Sequence, residues 1–331
     1  MAESRRAVAD ALARHREQDK LPDGGLFLVA VSGGADSLAL AWAAQFVLPR
    51  EGFELEAVIV DHGLQGDSAQ VAGTAGQTLE QLGLTATIVQ VQVDGEANVE
   101  QRARDARYQA LSEVAAQRGA IGVLLGHTLN DQAETVLMGL TRGSGPASIQ
   151  GMEPVSGLWW RPFLGVDRAT TQQVCRDVGI TWWDDPHNVD RRFLRPRLRH
   201  EVMPLLEDTM GPGVAEALGR TAALIRQDNE ALEQRASVVL AELGDQAGQG
   251  ALPVEALAGW PSAIGTRVIR QVASRVLGSS LSATHTQEVW RLVVEWRGQG
   301  PIDIPGGRVE RQEGILRFIA DSDHTRSKEH N

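Results

Sequence analysis

Short apolar runs alternate with longer stretches of helical spacing along the first half of the chain. Leu26–Val31 (LFLVAV) is an unbroken apolar run of strand length, and after Ser32-Gly33-Gly34 the segment Leu38–Leu48 reads as a buried helix ended by Pro49. A second run, Ala57–Val60, stops at Asp61-His62-Gly63. Helical spacing over Thr74–Leu82 leads to a third strand within Thr85–Val93. Val99–Arg118 predicts a helix and Ile121–Leu125 a fourth strand ending at Gly126-His127. Gln132–Leu140 is helical again and closes at Arg142-Gly143-Ser144-Gly145. This alternation predicts an α/β fold, a mostly parallel sheet with helices on both faces, with ligands collecting beyond the carboxyl ends of its strands. A fifth unit is expected from a helix starting at Ala169 and a strand at Thr181–Trp183, followed by a long helix over Pro196–Asp208. After Gly211-Pro212-Gly213 the pattern changes to helices, Val214–Leu243 and Val254–Arg297, and a hairpin around Pro305-Gly306-Gly307. The expected organisation is an N-terminal domain over residues 1–210 with a linker helix at its end, a smaller mainly helical domain over 211–320, and a flexible tail over 321–331.

Composition narrows the class. A chain of 331 residues with 42% hydrophobic and 23% charged residues has the balance of a folded protein, long enough for two domains. Its single cysteine, Cys175, closes no internal disulfide and excludes a cysteine-ligated metal cluster. The N-terminus lacks an apolar core for a signal peptide, and no run reaches the ~18 apolar residues of a membrane span. The expectation is a cytoplasmic protein with no membrane partner. The 32 cationic residues include only two lysines, Lys20 and Lys328, so a Walker-type phosphate loop, a pyridoxal Schiff base and a lysyl-AMP ligase are all disfavoured.

Ser32-Gly33-Gly34-Ala35-Asp36-Ser37 joins the first strand to the first buried helix, where backbone amides and the helix dipole can receive a phosphate. Asp36 beside phosphate oxygens implies a Mg²⁺ ion between them. The same six residues also suit an ordinary N-cap turn with a first-turn acid. Asp131 and Glu134, three apart at the start of a helix, share one face. Together they could bind an ammonium and accept its proton, or serve as a capping acid and a solvated glutamate. Arg191, Arg192, Arg195, Arg197 and Arg199 form the densest basic run in a chain of net charge −11. Such a run can neutralise phosphates locally, or simply be a solvated helix face.

Strand-SGGxDS-helix resembles the signature of the PP-loop ATP pyrophosphatases, whose fold is adenine-nucleotide alpha-hydrolase-like and Rossmann-like. Further motifs resemble the tRNA(Ile)-lysidine synthetase family from about Leu26 to Phe318. They are Val60-Asp61-His62-Gly63-Leu64, with Gln65 where arginine is common; Asn98, Glu100, Ala103-Arg104 and Arg107-Tyr108; and Gly126-His127-Thr128-Leu129-Asn130-Asp131-Gln132-Ala133-Glu134-Thr135. Arg142-Gly143-Ser144-Gly145 follows, then Asp185-Pro186-His187-Asn188 through Arg195-Pro196-Arg197-Leu198-Arg199 to Pro204. Thr128 and Asn130 depart from the family's histidine and aspartate, which argues against roles for their side chains. The lone cysteine separates the chain from sulfur-transferring relatives. The chain ends soon after the hairpin and is expected to lack a further C-terminal domain.

The resemblance implies that ATP adenylates the C2 oxygen of the wobble cytidine of a tRNA(Ile) with a CAU anticodon, and that free lysine then displaces AMP. It implies catalytic roles for Asp36, His127, Asp131 and Glu134, with Mg²⁺ on Asp36. ATP contacts are implied for Ser32 to Ser37, Asp61, His62, Arg142 and Gly143, and substrate contacts for Arg104, Arg107, Asp131, Glu134, Arg195 and Arg199. Arg104 is equally well placed for an ion pair with Glu100, and Asp61-His62 for a polar turn. The doublets Trp159-Trp160 and Trp182-Trp183 read mostly as packing. Two rival functions remain at this point, an AMP-forming synthetase of a small metabolite and a noncatalytic tRNA-binding protein.

Overall fold

The computed structural model describes residues 1–18, 20–63, 68–92, 99–143, 145–185 and 189–321. Leu64-Gln65, Asn98, the Glu100 side chain, Ser144, Pro186 to Asn188 and the tail from Ser322 onward lie outside the described residues. Two compact units emerge, one of residues 1–138 and 151–222 and one of residues 139–150 and 223–331. The division falls inside a helix, between Ala222 and Ala223, beyond the glycine turn near Met210 where the sequence suggests a boundary.

The elements run α1 (Ala2–Arg16), β1 (Gly25–Val31), α2 (Ala35–Val47), β2 (Phe53–Asp61), α3 (Ser68–Gln81), β3 (Ala86–Gln90), α4 (Val99–Arg118), β4 (Gly122–Leu124) and α5 (Leu129–Arg142). Next come α6 (Pro146–Ile149), β5 (Val155–Ser156), β6 (Trp159–Trp160), α7 (Arg168–Asp177), α8 (Leu194–Arg197), α9 (Met203–Met210) and α10 (Val214–Glu242). The chain closes with α11 (Asp245–Gly248), β7 (Ala251–Pro253), α12 (Val254–Ala258), α13 (Ser262–Leu277), α14 (Ala283–Val294), β8 (Ile302–Ile304), β9 (Gly307–Gln312) and β10 (Ile315–Ala320).

In the first unit six strands form one sheet in the order β3-β2-β1-β4-β6-β5, parallel except for β5 against β6. The alternation of side chains along β1 divides the core. Phe27, Val29 and Val31 pack into one cluster with Leu38, Leu40 and Ala44 of α2, whereas Leu28 packs into another with Leu111, Val114 and Ala115 of α4. Helices therefore cover both faces of the sheet. The chain winds outward from β1 through β2 to β3, then returns through α4 to place β4 on the other side of β1. The order reverses between β1 and β4, and a crevice opens beyond the carboxyl ends of those two strands. At its floor Gly126 approaches α2 so closely that a Cβ there would lie 3.0 Å from the backbone of Ser37.

Three expectations are corrected. Thr181–Trp183 is not a strand: the Trp183 amide donates to the Gly33 carbonyl at 3.0 Å, which ties the segment to the β1–α2 loop instead of the sheet. The helix expected over Pro196–Asp208 is interrupted by a wider π turn at Leu198–Val202, between α8 and α9. The helical stretch expected over Val254–Arg297 is three helices, because Pro261 starts a new one and Gly278 ends it with φ +63°. Helix α1, not predicted by the pattern, buries Val8, Ala11 and Leu12 in the core shared with α2.

The second unit packs α13 and α14 with an antiparallel sheet, β7-β10-β9-β8, around Val268, Ile269, Val289, Leu292 and Leu316. Pro305-Gly306 forms the β8–β9 hairpin turn, as the sequence indicates, and β10 and β7 extend it into a full sheet. Among the described residues no helix is long and apolar enough to cross a membrane.

Tight packing under the crevice is testable at Gly122, where a Cβ would stand 2.5 Å from the Phe27 ring and 2.8 Å from the Trp160 indole nitrogen. Gly122→Ala is expected to cost about 1–3 kcal/mol through overpacking. Urea unfolding should show the loss as a lower midpoint, and an unchanged midpoint would mean that the β4 core is looser than this.

Candidate active site

The loop from Ser32 to Ser37 leaves β1 with Gly33 at φ +83°, a conformation that favours glycine, and enters α2 at Gly34 with an extended backbone. The Ser37 hydroxyl donates to the Gly34 carbonyl at 2.9 Å and accepts from the Ser32 amide at 3.2 Å. These bonds hold the loop open around the first-turn amides of α2, which have no partner within the helix and carry the positive end of its dipole. Beside the loop lies a cavity of about 270 Å³ lined by Gly33, Leu38, Val71, Thr74 and the Trp182-Trp183 doublet. The other doublet is packing: Trp160 sits edge-on to Phe27, and Trp159 edge-on to Tyr108.

Across the crevice α5 opens with one half of a capping box, the Asp131 side chain turned back onto the Thr128 amide. Asp131 accepts the Thr128 amide at 2.8 Å and the Thr128 hydroxyl at 2.9 Å through the same oxygen. Thr128 thus does hold a site residue, contrary to the expectation from its departure from the family motif. Asn130 does the same, since its side-chain oxygen accepts the Arg168 amide at 2.9 Å and fixes the start of α7. A further bond, from the Leu129 amide to the Val166 carbonyl at 2.9 Å, joins the two helix starts.

Arg168 is the residue that sequence reasoning missed. Its Nε donates to Asp36 at 3.2 Å and its Nη2 to Asp131 at 2.9 Å, so one guanidinium joins the phosphate loop to α5. The Thr171 hydroxyl, one turn along α7, donates to the other oxygen of Asp36. Arg199 makes the second bridge: its Nε and Nη2 meet the two oxygens of Glu134 at 2.8 and 3.2 Å, and Nη2 also reaches Asp131 at 3.2 Å. It projects from the π turn, a geometry frequent at functional sites. Its charge is committed to these acids and is not held out towards a phosphate.

Environment separates the carboxylates. Burial pushes the Asp36 carboxyl up, against the opposing pull of Arg168 and Thr171. Burial also acts on Asp131, but Arg168, the Thr128 amide and Arg199 outweigh it and hold this group below the usual range. His127 is pushed down to about 3 by burial, with Arg161, Arg107 and Arg104 opposing the attraction of Asp131, so it is a neutral imidazole near pH 7. Its Nδ1 is buried and has no hydrogen-bond partner among the described residues.

The remaining expected residues divide. Arg104 and Arg107 lie against the Tyr108 ring, and Arg107 is pulled down by burial and by Arg104 and Arg195, although Tyr108 opposes this. Among the described residues no carboxylate pairs with Arg104, Arg107 or Arg195. Within the basic run Arg191 and Arg197 share Glu201 at 3.6 and 3.8 Å, and Arg192 pairs with Asp190 at 2.6 Å. Asp61, buried at the end of β2, accepts the Gly63 amide at 3.0 Å, which fits the polar-turn reading of Asp61-His62. Arg142 closes α5 and Gly143 follows it with φ +61°; both belong to the second unit.

Comparison with known proteins agrees with this layout. Residues 7–206 match a PP-loop domain, and residues 252–317 match a TilS substrate binding domain. The tRNA(Ile)-lysidine synthase of Leifsonia xyli is 51% identical over 301 residues, covering 90% of this chain and 91% of its own. That of Thermobifida fusca is 47% identical over 305 residues, covering 91% and 94%. Among solved structures, the U34-tRNA thiolase NcsA from Methanococcus maripaludis, with its [4Fe-4S] cluster, superposes with a TM-score of 0.55 over 68% of this chain and 79% of its own. At 18% identity it shares the fold alone.

Two measurements check the electrostatics. Glu134 is fully buried, so Arg199→Met should strand its charge and cost about 3–5 kcal/mol, and adding Glu134→Leu should recover most of the loss. Additive losses in the double variant would show that the pair is not coupled. Because the folded protein resists protonating His127, the unfolded chain binds that proton first as pH falls below 6.5, and stability drops towards about 3. Relative to His127→Gln, the wild type is expected to lose stability between pH 7 and 5; parallel curves would contradict the burial.

Proposed function

The chain belongs to the tRNA(Ile)-lysidine synthase family, and on that premise we propose that it ligates free lysine to C2 of the wobble cytidine of a tRNA(Ile) with a CAU anticodon, at the expense of ATP, in the cytoplasm. The cytidine C2 oxygen attacks the α-phosphorus and diphosphate leaves. The side-chain amine of lysine then attacks C2, loses a proton, and AMP departs with the original oxygen. A cytosine carbonyl oxygen is a poor leaving group, and adenylation converts it into a good one.

The carrying observation is that the Ser32–Ser37 loop and the acids of α5 meet at one crevice through Arg168. The loop amides and the dipole of α2 suit the triphosphate. Asp131 stays ionised and can hold an ammonium of the substrate. Glu134 gives both oxygens to Arg199 and so acts by fixing that arginine. Arg104, Arg107 and Arg195, with no acid partners among the described residues, are the cations suited to the anionic groups of ATP or tRNA.

The donor set also fits Mg²⁺. Among the described residues no group of three metal-ligating side chains exists, which matches an ion that draws most ligands from phosphate and water. Asp36, whose oxygens each accept one hydrogen bond, would supply the protein ligand. When bound, the ion would neutralise phosphate charge as it develops.

With α-labelled ATP, lysine and a CAU-anticodon tRNA(Ile) transcript, AMP release is expected only when all three are present. AMP without tRNA would favour a small-molecule synthetase, and tRNA binding without AMP a noncatalytic protein. Asp36→Ala should lower turnover by about 10²–10³-fold, the scale for removing a main electrostatic contact. Near-normal turnover would remove Asp36 from the mechanism.

A further inference from the structure

The cluster is unbalanced by a single charge. Asp36, Asp131 and Glu134 carry three negative charges, and Arg168 and Arg199 return two positive ones.

The two arginines differ in what they can offer. Arg199 is locked side-on to Glu134, whose side chain is 1% exposed. Arg168 spends Nε and Nη2 on two acids from different elements, and its Nη1, with two N–H donors, bonds nothing among the described residues. Its side chain remains 21% exposed. A guanidinium edge in a partly dehydrated crevice favours a planar carboxylate. Directly beside it, 2.9 Å from Nη2, stands the Asp131 oxygen, which also accepts from Arg199 at 3.2 Å and would take an ammonium as a third partner. A cation and an anion held side by side in this way match the two charges that an α-amino acid carries on one carbon.

Resting on the proposed function, we infer that Arg168 is a specificity-determining residue: through Nη1 it receives the α-carboxylate of the incoming lysine while Asp131 holds the adjacent α-ammonium, leaving the side-chain amine free to attack. Three acceptors converge on its position. Asn130 fixes the Arg168 backbone, and Asp36 and Asp131 fix its guanidinium plane.

The test compares kcat/KM for lysine and for 1,5-diaminopentane, which lacks only the α-carboxylate, in the AMP-release assay with tRNA(Ile). The wild type should prefer lysine by roughly 10²-fold or more, as a site that hydrogen-bonds a substrate group rejects the analogue without it. Arg168→Gln should lower that preference at least about tenfold, mainly through KM for lysine and not KM for ATP, and Arg168→Lys should restore part of it. Equal losses on both amines would show that Arg168 only positions Asp36 and Asp131, and would overturn the inference. Should the variants not fold, the wild type still decides: lysinamide used as well as lysine overturns it. Lysine-dependent AMP release without discrimination removes this inference alone, whereas folded wild type with no lysine-dependent release removes the parent reading as well.

Discussion

Three carboxylates set around one crevice repel one another, and burial makes each costlier still; two guanidinium groups between them let the site exist. Each charge comes from a different stretch of chain: Asp36 from the first turn of α2, Asp131 and Glu134 from α5, Arg168 from the first position of α7, and Arg199 from the π turn after α8. Removing one partner would leave a buried charge without compensation. The reversal of strand order between β1 and β4, the bonds between Thr128 and Asp131 at the start of α5 and the interruption of the α8–α9 helix all serve to bring these groups within hydrogen-bond reach.

The same cluster explains how two aspartates of equal chemistry acquire unequal character. Asp131 collects donors from both arginines and from a backbone amide, and remains charged. Asp36 has fewer donors for its burial and is displaced the other way. Environments that push like groups apart are how a single fold assigns one acid to hold charge and another to a different duty.

Local features were legible in the sequence. The SGGADS turn, the parallel alternation and the α5 acids are each written within a few consecutive residues, where periodicity and glycine chemistry decide the outcome. Arg168 was not, because nothing near it in the chain marks it; it meets Asp36 from 132 positions away, and only the sheet topology explains the meeting. Thr128 and Asn130 were undervalued for a related reason. Judged by what they replace they look diminished, but a hydroxyl and an amide are sufficient to hold Asp131 and the start of the next helix. Trp182-Trp183 looked like a strand by residue type, and a single hydrogen bond to Gly33 outcompeted the sheet. The arginine run was visible as a block, but its division between Glu201, Asp190 and the crevice follows from helix geometry that spacing alone does not fix.

Every cation named in the crevice is an arginine, and the lysine among the described residues, Lys20, is exposed and bonded to the Gln18 side chain. Guanidinium stays protonated at any physiological pH and is a poor nucleophile. On the function proposed here, an activated cytidine is an electrophile looking for a primary amine, and a protein ε-amine beside it would compete for that carbon. A wall of arginine supplies the positive charge that phosphates and carboxylates demand while offering no amine of its own, so electrostatic attraction is separated from reactivity and the enzyme is protected from becoming its own substrate.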